Sequence, residues 1–234
     1  MAGCSTRGIL APVFESGWHL PTLLTTQHVV SRGETLYSIA FRYDKDYRQL
    51  ALINNIRPPY IVRVGQVLNL SQLRYASPVR RSHVAPPQRA HYQYPITRPA
   101  SVRRIPHKQI SRFIRWHWPA QGRVVATFHP EQGRKGIDIA GRKGQRVVAA
   151  SGGVVAYAGS GLAGYGNLII IKHNDQLLTA YGNNSRNLVR EGQSVSAGQV
   201  IAEMGVVNRR YSGVHFEMRQ SGIPVNPLYY LKRG

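Results

Sequence analysis

The chain has 234 residues, enough for one large or two modest domains. Its 31 lysine and arginine residues against 10 acidic ones give a formal net charge of +21, which favours an anionic partner or surface. No apolar run reaches the roughly 18 residues of a membrane-spanning helix, and a single cysteine, Cys4, excludes an internal disulfide framework.

Residues 1–26 carry glycine, proline and threonine without a clear hydrophobic period, and we interpret them as a tether. The small residues before Cys4 resemble the end of a bacterial lipoprotein signal, in which that cysteine is lipidated. The apolar region expected before such a cysteine is missing from the sequence. Two interpretations stay open: the true start lies upstream and Cys4 carries a lipid anchor in the membrane, or Cys4 is a thiol without a special role.

The hydrophobic pattern of residues 27–71 predicts a small β-α-α-β unit. Its elements are a strand at 28–30, a helix at 36–43, a helix at 47–53 and a strand at 64–70. Thr35 and Asp46 stand immediately before the two helices, where a side-chain oxygen can cap the free backbone N–H groups. The sequence therefore predicts two short, capped helices between two short strands.

Three phrases of this unit, at 30–40, 52–55 and 64–68, resemble the LysM module. The resemblance implies binding of N-acetylglucosamine-containing glycans, chiefly peptidoglycan, in a shallow groove between the first loop and the loop after the second helix. The implied glycan-binding residues are Glu34, Thr35, Leu36, Asn54, Asn55 and Ile56. A purely structural role is an equally good interpretation for any one of them, since Asn54 and Asn55 also end the second helix.

Residues 72–115 are rich in proline, arginine, serine and glutamine, and no acidic residue occurs between Asp46 and Glu131. Such a segment cannot bury enough apolar surface to offset the entropy lost on ordering, so we predict a disordered basic linker. A solvated spacer and a strap held against an anionic wall or lipid are both compatible with this composition.

Residues 116–234 predict an all-β domain, because short apolar runs alternate with glycine turns. Strands are predicted at 123–128, 136–140, 146–149, 152–159, 168–173, 176–181, 199–204 and 214–219. In the last strand, residues two apart share one face, so Gly213, His215 and Glu217 point the same way.

Several phrases here resemble the LytM, or lysostaphin-type, metallopeptidase domain; they lie at 135–140, 152–159, 164–173, 189–199, 215–217 and 225–228. The resemblance implies a lysostaphin-like, duplicated-hybrid-motif-like fold. In active members zinc is held by a His-x-x-x-Asp motif and by the second histidine of a His-x-His motif, and two further histidines assist catalysis. By position, Asp138 and His215 keep two ligand places, whereas Arg134, Asn183 and Gly213 stand where active members have histidines.

Zinc catalysis needs three protein ligands and an open position for water, so the sequence predicts no metal, no other cofactor and no catalytic residue. We expect Arg134 to pair with Asp138 and to take over part of the structural role of the metal. His129 and His173 are the nearest substitutes, and each is more often a surface or hydrogen-bonded histidine than a ligand.

A LysM module joined to a LytM-type domain without its catalytic groups resembles the NlpD-type cell-division lipoproteins. The resemblance implies a non-catalytic outer-membrane lipoprotein that faces the periplasm, binds peptidoglycan and activates periplasmic N-acetylmuramoyl-L-alanine amidases for septal wall splitting and daughter-cell separation. The implied amidase-binding surface, here called the groove, comprises Arg134, Asp138, Asn183, Gly213 and His215.

Three alternatives come from other functional classes. The first is an active zinc endopeptidase that cuts peptidoglycan cross-links, and the second is a plain cell-wall anchor. The third is a nucleic-acid binder, which is motivated by the charge alone. The sequence carries no nucleic-acid recognition motif in its expected context, so we expect no nucleic acid among the partners.

Overall fold

The computed structural model describes residues 25–71, here called the N-terminal module, and residues 115–231, here called the C-terminal domain. Cys4 and all but the edges of the predicted tether and linker lie outside these ranges. Within the two described ranges, no helix has the length and apolar character needed to cross a membrane.

The N-terminal module has the predicted β-α-α-β order. Its elements are β1 (Gln27–Val29), α1 (Leu36–Arg42), α2 (Tyr47–Ile53) and β2 (Val67–Asn69). The Thr35 hydroxyl accepts from the Ser38 N–H, and the Ser38 side chain accepts from the Thr35 N–H, so α1 begins with a capping box. Asp46 accepts from the Arg48 N–H and caps α2. Both predicted caps are therefore confirmed.

The core of the N-terminal module is a small apolar cluster between the helices and the two-stranded sheet. Leu36 and Ile39 of α1, Leu50 of α2 and Leu68 of β2 are fully buried in it. The apolar residues of each helix recur three or four positions apart, so they lie on one face. This pattern leaves the opposite face of α1 free to meet another surface.

The C-terminal domain is all-β, as predicted. Its strands are β3 (Arg123–Ala126), β4 (Ile137–Ala140), β5 (Arg146–Val148), β6 (Gly153–Gly159), β7 (Asn167–Lys172), β8 (Leu177–Asn187), β9 (Ser194–Val195), β10 (Val200–Val207), β11 (Tyr211–Gln220) and β12 (Ile223–Val225). Their hydrogen-bonded path within the described residues runs β3-β4-β11-β10-β8-β7-β6-β9. β12 pairs with β11, and β5 pairs with β10.

Several strand bounds differ from prediction: β3 ends at Ala126, β10 continues to Val207, and β11 begins at Tyr211. β8 runs six residues beyond its predicted end at Tyr181, because its polar second half pairs with β10. β9 and β12 were not predicted. Tertiary pairing, rather than local sequence, defines these segments.

Strand β11 positions the candidate site, because it pairs with both β4 and β8. His215 lies directly opposite Asp138 of β4 and also opposite Gly182 of β8. Val214 and Phe216, which point the other way, belong to the main apolar core. One face of β11 is therefore core, and the other is available for polar groups.

Candidate functional site

The centre of the candidate site is a hydrogen-bonded pair between β4 and β11. Asp138 Oδ1 lies 2.5 Å from His215 Nδ1. The hydroxyl of Tyr211, at the start of β11, donates to the other carboxylate oxygen, Oδ2, at 2.6 Å. Both oxygens of Asp138 are thus engaged, and the residue is 7% exposed.

The second ring nitrogen of His215 is also held by a carboxylate. His215 Nε2 lies 3.0 Å from Glu217 Oε1, two residues along the same strand. Burial by itself would lower the pKa of His215, but the hydrogen bonds and negative charges of Asp138 and Glu217 raise it to about 9. His215 is therefore an imidazolium at neutral pH, with both N–H groups donated to carboxylates.

Besides His215, the carboxylate of Glu217 accepts hydrogen bonds from Tyr165 and Arg219. Arg219 Nε donates to Glu217 Oε2 at 2.8 Å, and the Tyr165 hydroxyl donates to Oε1 at 2.9 Å. Burial would raise the pKa of Glu217, but the charges of Arg219 and His215 lower it to about 2. Burial and the neighbouring Glu217 charge raise the pKa of Tyr165 well above its ordinary value.

These residues form a continuous series, Asp138–His215–Glu217–Arg219, here called the buried polar chain. Its last three members alternate along β11 and so share one face. The alternation along the strand predicted that His215 and Glu217 point the same way. Arg219, two residues further on, was not included in that prediction. The same period of two residues places Arg219 on this face, so the sequence was sufficient to predict its position.

Arg134 does not form the predicted ion pair with Asp138. Its guanidinium donates to Gln132 Oε1 at 2.5 Å, and the residue is exposed. Its backbone bridges to that of His129 and closes a tight turn. That expectation was wrong because His215 and Tyr211 already occupy the two oxygens of Asp138.

The other two groove positions are shaped by the backbone. Asn183 has a φ of 61°, and its N–H donates to the Tyr165 carbonyl at 2.7 Å. Gly213 lies between β4 and β10, opposite Ala140 and Gly205. A Cβ atom at Gly213 would stand 2.9 Å from the Ile139 carbonyl oxygen, so any larger residue forces a backbone shift.

The donor atoms present do not fit a tetrahedral zinc site. A zinc ion would have to displace the bonds of His215 to Asp138 and Glu217, and within the described ranges no three His, Cys, Asp or Glu side chains group as a metal site. Of the nearest substitutes, His129 is bonded to Thr127 and Glu131. The ring of His173 is bonded to the Gly152 carbonyl and to Thr179, and burial lowers its pKa to about 4.

In the N-terminal module, the first predicted glycan-binding loop makes mainly structural contacts. The Glu34 side chain is 3% exposed and pairs with His28 at 2.7 Å and with Arg42 at 2.8 Å. Thr35 caps α1, and its hydroxyl donates to the Ala156 carbonyl of β6 at 3.2 Å. Leu36 is fully buried in the core of the module.

In the second predicted loop, Asn54 and Ile56 make contacts within the module, whereas Asn55 is exposed. The Asn54 side chain donates to the carbonyls of Leu50 and Asn69 and accepts from the Asn69 N–H at 2.7 Å, so it ties α2 to β2. Ile56 is half-buried against the core of the module. Asn55, with a φ of 54°, is exposed.

Comparison with known proteins supports this two-part architecture. Residues 28–71 match the LysM domain, and residues 132–227 match peptidase family M23. The chain is 44% identical over 236 positions to a lipoprotein NlpD/LppB homolog of Pseudomonas aeruginosa, covering 88% of this chain and 77% of that protein.

Two Escherichia coli proteins show similar likeness. The chain is 37% identical over 255 positions to the murein hydrolase activator NlpD, covering 87% of this chain and 67% of the relative. It is also 37% identical over 205 positions to the uncharacterized lipoprotein YgeR, covering 87% of this chain and 80% of the relative.

Proposed function

The chain belongs to the NlpD/LppB lipoprotein family, and we propose that it is a peptidoglycan-binding envelope protein that activates N-acetylmuramoyl-L-alanine amidases without cutting the wall itself. A relative that shares most of its length is named a murein hydrolase activator. The LysM match supports attachment to peptidoglycan through the N-terminal module. The proposed role is septal wall splitting during daughter-cell separation.

The observation that carries the non-catalytic part of the proposal is the double engagement of His215. A metal ligand must present a neutral imidazole nitrogen with a free lone pair. Here Nδ1 and Nε2 face the carboxylates of Asp138 and Glu217. The hydrogen bonds and charges of Asp138 and Glu217 raise the pKa of His215 to about 9, so at pH 7 this ring must lose a proton before it can bind a metal.

The groove is the proposed amidase-binding surface. Arg134 is exposed and places a positive charge at its edge, whereas Asn183 is only partly exposed. The charges of Asp138 and His215 in this groove already neutralise each other. Such a surface can bind a partner without exchanging protons or metal. The peptidase scaffold then serves as a docking platform.

The proposed location is the bacterial envelope, with the protein facing the periplasm and held by a lipid on Cys4. Relatives named lipoproteins support this placement. The net charge of +21 suits an anionic wall or lipid surface.

The test uses dye-labelled peptidoglycan, a purified N-acetylmuramoyl-L-alanine amidase and the full chain. We expect no dye release by the chain alone and a marked increase in release when the amidase is added with it. Wall binding without that increase would reduce the protein to an anchor. Release by the chain alone that a chelator abolishes would instead establish a zinc endopeptidase.

A further inference from the structure

The N-terminal module packs directly on the C-terminal domain through the outer face of α1. Phe41 is 2% exposed, yet it does not belong to the core of its own module. It packs in a cluster with Tyr157, Leu162 and Tyr165 of the C-terminal domain, with its ring centroid 5.4 Å from that of Tyr165. An apolar side chain of the module thus packs in the core of the other domain.

Charged groups surround this apolar contact. Asp44, in the turn after α1, accepts from Arg219 Nη1 with one carboxylate oxygen and from Lys135 Nζ at 2.5 Å with the other. The Arg219 guanidinium lies 4.3 Å from the centre of the Phe41 ring. Asp44 therefore extends the buried polar chain across the interface, and its second partner, Lys135, is the sequence neighbour of Arg134.

The predicted glycan-binding loop is part of the same interface. The single hydroxyl proton of Thr35 is donated to the Ala156 carbonyl. Arg42, which pairs with Glu34, donates to the Gly161 carbonyl at 3.0 Å. In the docked arrangement this side of the loop faces protein, and the Thr35 hydroxyl has no proton left for a sugar oxygen.

We propose that docking and glycan binding compete for this loop. The loop at 34–36 binds either the C-terminal domain, where Thr35 contacts Ala156 and Arg42, the partner of Glu34, contacts Gly161, or an N-acetylglucosamine-containing glycan. Glycan binding withdraws Phe41 and Asp44 from the C-terminal domain and uncovers Arg219 and Tyr165 at the end of the buried polar chain. This inference rests on the proposed glycan-binding role of the N-terminal module, and it makes wall attachment a signal that the C-terminal domain receives.

The competition predicts a measurable affinity change. A ligand that binds only the undocked state shows an apparent dissociation constant equal to its intrinsic one divided by the fraction of protein that is undocked. Weakening the interface without touching the glycan loop should therefore strengthen glycan binding. Asp44 and Phe41 are suitable positions, because neither is among the implied glycan-binding residues.

Two variants weaken docking by different means. Asp44→Asn removes the charge that pairs with Arg219, and asparagine tolerates the φ of 52° at this position. Phe41→Asp places a charge in the apolar cluster of the C-terminal domain. Glu203→Gln is the matched control, because Glu203 pairs with Arg186 on the surface of the C-terminal domain.

The experiment measures binding of a soluble N-acetylglucosamine oligomer to each full-length protein by calorimetry. We expect Asp44→Asn and Phe41→Asp to bind about three- to tenfold more tightly than the unmodified chain. Glu203→Gln should bind like the unmodified chain. Circular dichroism melting verifies that each variant is folded. If Phe41→Asp does not fold, Asp44→Asn alone is enough to test the competition.

Amide resonances of Ala156 and Gly161 supply the second readout, since these residues lie in the C-terminal domain. Adding the oligomer to the unmodified chain should shift both resonances toward their positions in Asp44→Asn. Equal affinity in all proteins, with unchanged resonances, would overturn the competition while leaving glycan binding intact. Absence of binding in every protein would instead remove the proposed glycan function and this inference with it.

Discussion

Arg219 and Asp44 form an ion pair across the interface between the two described parts of the chain, although 175 residues separate them in sequence. Arg219 also pairs with Glu217 on its own strand. One strand, β11, therefore carries groups that contact both the groove and the N-terminal module.

Replacing His215 by glutamine should destabilise the C-terminal domain strongly. The variant leaves Asp138 and Glu217 buried with one cation fewer between them, and breaking a buried ion pair costs roughly 3–5 kcal/mol. The free energy of unfolding from urea titration measures the loss. His129→Gln, at a surface position, should change it by less than about 0.5 kcal/mol. Similar values for the two variants would show that the buried polar chain is energetically unimportant.

The stability of the C-terminal domain should fall above neutral pH. The pKa of His215 is raised from 6.5 to about 9 in the folded state, so its contribution is complete below pH 6.5 and is lost as pH rises through 9. The raised pKa corresponds to roughly 3 kcal/mol. Urea titrations at pH 6, 7.5 and 9.5 measure the decline, which His215→Gln should lack.

Acid should also lower the stability of the C-terminal domain, through Glu217 of the buried polar chain. The pKa of Glu217 is lowered from 4.5 to about 2, so its contribution is present above pH 4.5 and is lost as pH falls through 2. Together the two groups give maximal support between about pH 4.5 and 6.5. An NMR titration in which the His215 ring loses its proton below pH 7 would contradict this assignment.

Gly213 should resist even the smallest side chain. Gly213→Ala places a methyl group 2.9 Å from the Ile139 carbonyl oxygen, and such overpacking costs about 1–3 kcal/mol. Gly152→Ala is the control, because its new methyl group would have its nearest neighbour at an ordinary 3.4 Å. Thermal melting of the two variants compares the costs. A neutral Gly213→Ala would mean that β4 adjusts easily to a side chain at this position.

Charge reversal at Arg134 should reduce amidase activation without affecting folding. Arg134 is exposed and bonded only locally to Gln132, so Arg134→Glu leaves the core untouched. Loss of a charged contact at the edge of an interface weakens binding by about 1 kcal/mol, or roughly fivefold. The control Arg146→Glu makes the same change of charge at an exposed position of β5. Equal activation by both variants in the dye-release assay would remove Arg134 from the partner surface.

The two adjacent asparagines of the N-terminal module should separate glycan binding from stability. Asn55→Gly removes an exposed side chain while allowing the φ of 54°, so glycan affinity should fall at least about threefold with an unchanged melting temperature. Asn54→Ala breaks the bonds that tie α2 to β2 and should cost about 1–3 kcal/mol. An affinity unchanged in Asn55→Gly would exclude this residue from the glycan site.

Local features were predictable from the sequence because their physical causes are local. The caps at Thr35 and Asp46 follow from the preference of short polar side chains for the free N–H groups of a helix start. The shared direction of His215 and Glu217 follows from the period of a strand. The family resemblances then supplied the fold of both parts.

Partners distant in sequence were not predictable in this way. The pairing of Arg134 with Asp138 was expected from charge alone, whereas Tyr211 and His215 satisfy that carboxylate through strand pairing. Glu34 has the character of a ligand-binding residue, yet His28 and Arg42 engage it. The contact of Asp44 with Arg219 depends on how the two parts of the chain pack against each other. No pattern of residues in the sequence predicts that packing.

The two-sided character of β11 also restricts changes in chain length. Val214 and Phe216 face the apolar core, and His215, Glu217 and Arg219 face the polar side. Deleting one residue within the strand would exchange these sets and drive three charged groups into the core. Such a deletion should abolish folding, whereas substitutions at single positions only weaken it, so the spacing along this strand is less replaceable than any of its side chains.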